Sequence, residues 1–268
     1  MGNFIIDLSI IIPSFRRSNL LYWGLESLSY QSIKSNYEII VLNDGIPDKT
    51  EEVCNNYKNK LNIKYIFTGQ RNTEKIEWRI PGFAINIGAR LAMGKNLILT
   101  CPEIWIIDNC IQEIIDLLNQ DSNRLVISEG KDDRLSIFLN HLNRKNNKSQ
   151  FLQIYNNLPM QDAKGNTLKL NTKLPFFLGL NKQKFIDIGG YDEEFIGFCF
   201  DDSDIVDRLL LYGCYYYKTQ NKIIHLFHRR LRAGIEYEKN KLWIHNQNLY
   251  NQKRGQIIRN IGKEWGKI

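Results

Sequence analysis

Carboxylates and imidazoles crowd one stretch of the sequence. Gly189-Gly190-Tyr191-Asp192-Glu193-Glu194-Phe195 is followed by Asp201-Asp202-Ser203-Asp204 and then by His225-Leu226-Phe227-His228. Carboxylates with imidazoles can hold a divalent cation, and a carboxylate can take a proton from a hydroxyl. An acid at a helix N-terminus stabilises it by ~0.3–1 kcal/mol. One acid suffices for that, and three acids among four residues exceed the need. Mutual repulsion and partial burial raise the pKa of at least one of them, which suits a general base. Two imidazoles so soon after the acids point to a metal ligand among them. At a strand end their odd spacing predicts that only one shares a face with the acids.

The elements that must position these groups read as alternating strands and helices. Apolar runs at 8–12, 38–42, 63–67, 96–100 and 124–128 read as buried strands. Helices are predicted over 19–30, from Pro47 onward, over 82–93 with Gly94 as the stop, and from Asn109. A strand over 175–180 and a helix over 182–188 precede Gly189-Gly190. The acids at 201–204 are expected to precede a helix over 205–211, and one or two strands fall within 215–226. This alternation predicts an α/β fold with a mostly parallel sheet covered by helices on both faces.

In such sheets ligands sit beyond the carboxyl ends of the strands. That rule points to Pro13 and Ser14, to Asn43-Asp44-Gly45 and to Cys101-Pro102-Glu103. Asp44 could accept an N–H from a nucleobase. Arg16 or Arg17 could line a nucleotide or phosphate pocket. Glu103 offers a hard cation an oxygen ligand. Residues 130–175, rich in Asn, Lys and Gln, read as a surface loop or a lid.

The 268 residues, 43% hydrophobic, are enough for a sizeable core. No apolar run approaches the ~20 residues of a membrane span, and no signal peptide is visible. A cytoplasmic location, with peripheral membrane contact allowed, is the expectation. Five cysteines without a C-x-x-C pair read as free thiols in a reducing compartment. Residues 229–268 carry ten Lys/Arg against three Asp/Glu, while the preceding 228 residues carry 26 of each sign. That basic tail, expected to be helical, could contact an anionic membrane; nucleic acid is not the expected partner.

These segments together resemble the inverting, nucleotide-sugar-dependent glycosyltransferases of family two, which have the GT-A fold. The resemblance lies in residues 9–16, 25–31, Val41-Leu42-Asn43-Asp44-Gly45, Asn86 to Lys95, and the Gly189–Phe195 and 201–204 motifs, which resemble a galactosyltransferase-like acceptor segment. It implies a GT-A catalytic domain over 1–228, with a nucleotide-sugar half (1–108) and an acceptor half (109–228), followed by the tail 229–268. It implies a hexosyltransferase that moves a sugar from a nucleotide-sugar, a UDP-sugar first, to a glycan, lipid-linked or protein acceptor. Asp202 would be the base, with Asp201 its neighbour or substitute. Pro13, Ser14, Arg16, Asp44, Asn86, Gly190 and Asp204 would bind substrate, Asp44 through uracil. Glu103 with His225 or His228 would hold Mn²⁺ or Mg²⁺. Two features depart from the family: Cys101-Pro102-Glu103 stands where Asp-x-Asp is usual, and Phe198 and Phe200 replace flanking tryptophans. The first departure motivates an alternative, a degenerate nucleotide-sugar-binding or scaffold protein.

Overall fold

The computed structural model describes residues 5–71, 79–144, 150–229 and 240–268. Among the described residues eight strands form one sheet in the order β3-β2-β1-β4-β7-β6-β8-β5. They are β1 (Leu8–Ser14), β2 (Tyr37–Gly45), β3 (Ile63–Gln70), β4 (Asn96–Thr100), β5 (Ile104–Ile106), β6 (Arg124–Asp132), β7 (Phe177–Asn181) and β8 (Tyr215–His225). The first half, β3-β2-β1-β4, is parallel throughout. Beyond it β7 runs antiparallel to both β4 and β6. β8 is parallel to β6, and β5 is antiparallel to β8. The sheet is therefore mixed, with parallel pairing confined to two blocks.

Apolar runs become strands here because both faces are covered. Along β1, Leu8, Ile10 and Ile12 pack into one cluster, with Leu21 and Leu25 of α1 (Ser18–Leu28), Cys54 and Tyr57 of α2 (Thr50–Tyr57) and Ile114 of α4 (Ile111–Gln120). Ile11 points the other way, to a cluster with Ile85 of α3 (Gly82–Leu91), Phe185 of α7 (Lys182–Asp187) and Ile205 of α8 (Asp201–Leu211). The period-2 alternation of strand side chains divides the core into these two layers.

Four expectations need correction. Gly94 is no left-handed cap: α3 ends at Leu91 with Ala92 extended. Gly94 is needed for close approach, because a Cβ there would collide with the Ser9 backbone, while its N–H donates to Ser9 Oγ at 2.9 Å. Residues 130–175 are not one continuous loop, although Arg134, Thr167, Lys169, Leu170, Asn171 and Leu174 do line the cavity described below. They contain α5 (Ile137–Asn143) and α6 (Phe151–Asn157), whose Phe138, Leu142 and Tyr155 bury Trp105 of β5. Residues 145–149 of that run lie outside the described residues. The 201–204 acids do not precede a helix but form the first turn of α8.

The tail is the fourth. Beyond residues 230–239, outside the described set, α9 (Lys241–Lys253) and the segment to Ile268 fold back onto the acidic motif. Arg259 is buried against Asp192 and Asp204, and Lys253 pairs with Asp192 and Glu194. These contacts tie Lys253 and Arg259 of the tail into the catalytic domain. Among the described residues no helix is long and apolar enough to cross a membrane.

Candidate active site

A cavity of about 660 Å³ opens at the carboxyl ends of the parallel strands. Chain turns bring its walls together. Pro13 and Ser14 end β1 and Arg17 follows it; Asp44 is the penultimate residue of β2; after β4 come Cys101, Pro102 and Glu103. Asp132 ends β6, His225 ends β8, and His228 lies three residues further on. Phe198 and Asp202 close the opposite wall.

Strand register sets the acid–imidazole centre. His225 faces Asp132 across the β6–β8 ladder and Ile104 across the β5–β8 ladder, next to Glu103. The chain then leaves the strand, and Leu226 N–H donates to the Glu103 carbonyl at 2.8 Å. His228 thereby also reaches Glu103. Nε2 of His225 and Nε2 of His228 lie 3.5 and 3.3 Å from Glu103 Oε1. The expectation that odd spacing excludes one imidazole fails because β8 stops at His225, and strand alternation does not govern residues 226–228. Nδ1 of His225 lies 3.4 Å from Asp132 Oδ1, and Arg134 Nε holds the other Asp132 oxygen at 2.8 Å. Arg17 Nη2 lies 3.2 Å from Nδ1 of His228.

One ligand atom from each of Glu103, His225 and His228 falls within 4.8 Å of the others. Glu103 Oε2 is buried with no hydrogen-bond partner among the described residues. Burial alone would raise the Glu103 carboxyl, but the two imidazoles outweigh it and hold the group well below its usual range. It is an anion beside two nitrogen donors, and an orphaned oxygen remains to be satisfied. This donor set fits a divalent cation.

Asp202 sits across the cavity. Burial lifts its carboxyl to about 6, against the opposing pull of the Tyr191 hydroxyl, which donates at 3.0 Å. Asp201 is turned into the protein. Burial, and then the charge of Asp202, push its carboxyl well above the ordinary value. Both carboxyls of this adjacent pair are thus raised, that of Asp202 to about 6. Burial likewise raises the Cys101 thiol, so it lines the cavity as a neutral group.

Asp44, nearly fully buried, is bound by Thr68 Oγ1 (2.9 Å), by Arg71 and by Arg79 (2.8 Å). An ionised carboxylate has about four acceptor sites, so one remains. Ser14 lines the cavity with its hydroxyl 3.2 Å from that of Thr50. Four residues expected at a substrate lie outside the lining. Arg16 has φ 55° and is exposed, and Arg17 takes the cavity position. Asn86 is buried and holds the backbone of Tyr191 through both its N–H and its carbonyl. Gly190 packs on Asn86 and Trp265. Asp204 is locked between Arg208 and Arg259. Sequence reasoning did not single out Arg79, Asp132 or Tyr191, whose places depend on strand register and long-range packing.

A mixed sheet of this order, with carboxylates and imidazoles gathered in a crevice at the carboxyl ends of its parallel strands, is the arrangement of a GT-A-type glycosyltransferase domain. Solved structures agree on the fold: the chain superposes on S. aureus TarS residues 1–349 with a TM-score of 0.58 at 14% identity, covering 93% of this chain and 74% of that one. A mannosyltransferase from Pyrobaculum calidifontis gives a TM-score of 0.54 at 11% identity, covering 85% and 59%. The sequence model for glycosyl transferase family 2 matches residues 9–182, and that for the N-terminal domain of galactosyltransferase matches 176–230. The chain belongs to glycosyl transferase family 2. It is 28% identical over 240 residues to the chondroitin synthase of Escherichia coli, covering 79% of this chain and 33% of that protein. The chain thus spans about a third of that relative's length.

Proposed function

We propose that this chain transfers a sugar from a UDP-sugar to an acceptor hydroxyl with inversion, assisted by a divalent metal. The observation that carries the reading is one cavity shared by Asp44, the Glu103–His225–His228 centre and Asp202. Solved relatives of the same fold support the choice of donor and ion. TarS was solved with UDP and with UDP-GlcNAc, and the P. calidifontis mannosyltransferase with GDP-Man and Mn²⁺.

Asp44 accepts an N–H of the base, with Arg71 and Arg79 pairing with its carboxylate and fixing it. Glu103, His225 and His228 would hold the metal, and two imidazoles favour Mn²⁺ over Mg²⁺, which prefers oxygen ligands. When bound, the ion offsets negative charge on the leaving diphosphate. Asp202 takes the proton of the acceptor hydroxyl, with Tyr191 fixing its orientation. The oxygen attacks the anomeric carbon from the face opposite the nucleotide. The bond to the diphosphate breaks, and its electron pair leaves with the phosphate oxygen. Phe198 offers a ring face for the acceptor sugar. The donor half (1–108) supplies Asp44 and Glu103, and the acceptor half (109–228) supplies Asp202 and both imidazoles.

The test is release of UDP or GDP from UDP-glucose, UDP-GlcNAc, UDP-galactose and GDP-mannose, with Mn²⁺ or with EDTA. The expected result is Mn²⁺-dependent release from one UDP-sugar. Release undiminished in EDTA would remove the metal from the mechanism. No hydrolysis and no transfer with any donor would favour a protein that binds nucleotide-sugars without turning them over.

A further inference from the structure

The wall of the cavity that carries Phe198 leads straight into Asp201 and Asp202, and its backbone is strained. Gly197, Cys199 and Phe200 all have left-handed φ values, 73°, 69° and 72°. Glycine accepts that region freely, whereas a cysteine and a phenylalanine in succession do not. Such residues persist only where the surroundings over-determine them.

The restraint comes from outside the part matched by the family models, which ends at residue 230. Asn246 of α9 has no exposed surface. Its Oδ1 accepts the Ile196 N–H at 3.1 Å, and its Nδ2 donates to the carbonyls of Ile196 (2.6 Å), Phe198 (2.8 Å) and Cys199 (3.3 Å). One amide side chain thus binds three residues of the strained loop. Leu242, one helical turn earlier, fills the space beside Gly197, where a Cβ would approach its Cδ1 to 2.7 Å. Phe200 is packed between Trp243 and Tyr250, with ring centroids 5.4 and 5.7 Å away. None of the residues lining the cavity comes from 240–268.

We propose that Asn246 is a positioning residue for the acceptor side of the site: it locks loop 196–200 in the conformation that turns Phe198 and Asp202 into the cavity. Residues 240–268 are then a working part of the catalytic unit, not an appendage. The assignment rests on the reading that Asp202 and Phe198 serve the acceptor. Donor binding, which uses Asp44 and the Glu103 centre, is independent of it.

The experiment compares the full chain with Asn246→Ala and with Asn246→Asp. The second variant keeps the side-chain size and the acceptor for the Ile196 N–H but loses the amide donor, so it serves if the first does not fold. Hydrogen exchange of amides 196–204 is expected to speed up at least tenfold in both. UDP affinity with Mn²⁺, read by calorimetry, should stay within twofold. The acid limb of UDP-sugar hydrolysis should move from near pH 6 toward the ordinary aspartate range, because Asp202 loses its fixed buried place. Unchanged exchange and an unmoved limb overturn the proposal. So does a UDP affinity that falls in step with exchange, since that marks general unfolding. If the intact protein neither binds UDP nor hydrolyses a UDP-sugar, the transfer reading itself fails, while the exchange measurement still decides whether Asn246 holds the loop.

Discussion

Replacing Asp202 by Asn should make the protein more stable while abolishing its chemistry, and the size of the gain can be worked from its surroundings. The carboxyl is lifted from 3.8 to about 6, chiefly by burial. A folded pKa above the unfolded one means that the native state holds the proton more tightly. The stability this group contributes is therefore complete below about pH 4 and is lost as pH rises through 6. At ~1.36 kcal/mol per unit, the loss above pH 7 approaches ~3 kcal/mol. Part of the carboxylate surface faces the cavity, so that figure is an upper limit. Asparagine is neutral at every pH and can still accept the Tyr191 hydroxyl bond. Urea denaturation at pH 7.5 should show a gain of up to ~3 kcal/mol, shrinking to about 0.5 kcal/mol at pH 4, where the native protein already carries the proton. Turnover should fall by ~10²–10⁴, the usual worth of a general base. A variant no more stable at pH 7.5, or one whose gain is the same at both pH values, would refute the burial argument. A variant that turns over normally would refute the role.

Two further substitutions separate the metal from the base-recognition end. Glu103→Gln keeps the size but removes the anion, and should weaken Mn²⁺ binding by at least ~100-fold, beyond the usual effect of losing a supporting group; electron paramagnetic titration of Mn²⁺ reads it, and unchanged affinity would take Glu103 out of the centre. Asp44→Asn removes a charged acceptor worth ~1.5–3 kcal/mol, so UDP should bind roughly 10–150-fold more weakly by calorimetry. Mn²⁺ affinity should not change in that variant, and a parallel loss of both would mean that Asp44 acts through the fold.

How much of the fold and site was legible depends on how local each determinant is. β1, β2 and β4 could be read because burial on both faces writes them as unbroken apolar runs, and the acids after them could be placed because parallel strands end at one edge. Asp44, Glu103, Asp202, His225 and His228 each come after such a run or open a helix, and the structure brings all five to one cavity. The insertion of β7 between β4 and β6 was not legible, since a five-residue strand gives no sign of its partner or direction. The Asp132–His225–Glu103 contact depends on that insertion and on β8 being flanked by β6 and β5.

The same reasoning explains why the docking of α9 stayed hidden although the tail was expected to be helical. Its partners, Ile196, Phe198 and Cys199, are about fifty residues away, and they are bound through backbone atoms that every sequence possesses. An asparagine among polar neighbours carries no mark of such a role, and the lysines and arginines around it read as a solvated tail. Yet Arg259 and Lys253 are spent on Asp192 and Asp204. Two of the acids that look like site chemistry in the sequence are thus structural anchors for the C-terminal segment. That division comes from burial: Asp192 and Asp204 face cations inside the protein, whereas Asp202, one residue past the buried Asp201, faces the cavity and accepts the hydrogen bond of the Tyr191 phenol. Burial lifts the Asp202 carboxyl to about 6, where it can take a proton, while the buried cations hold Asp192 and Asp204 in structural pairs.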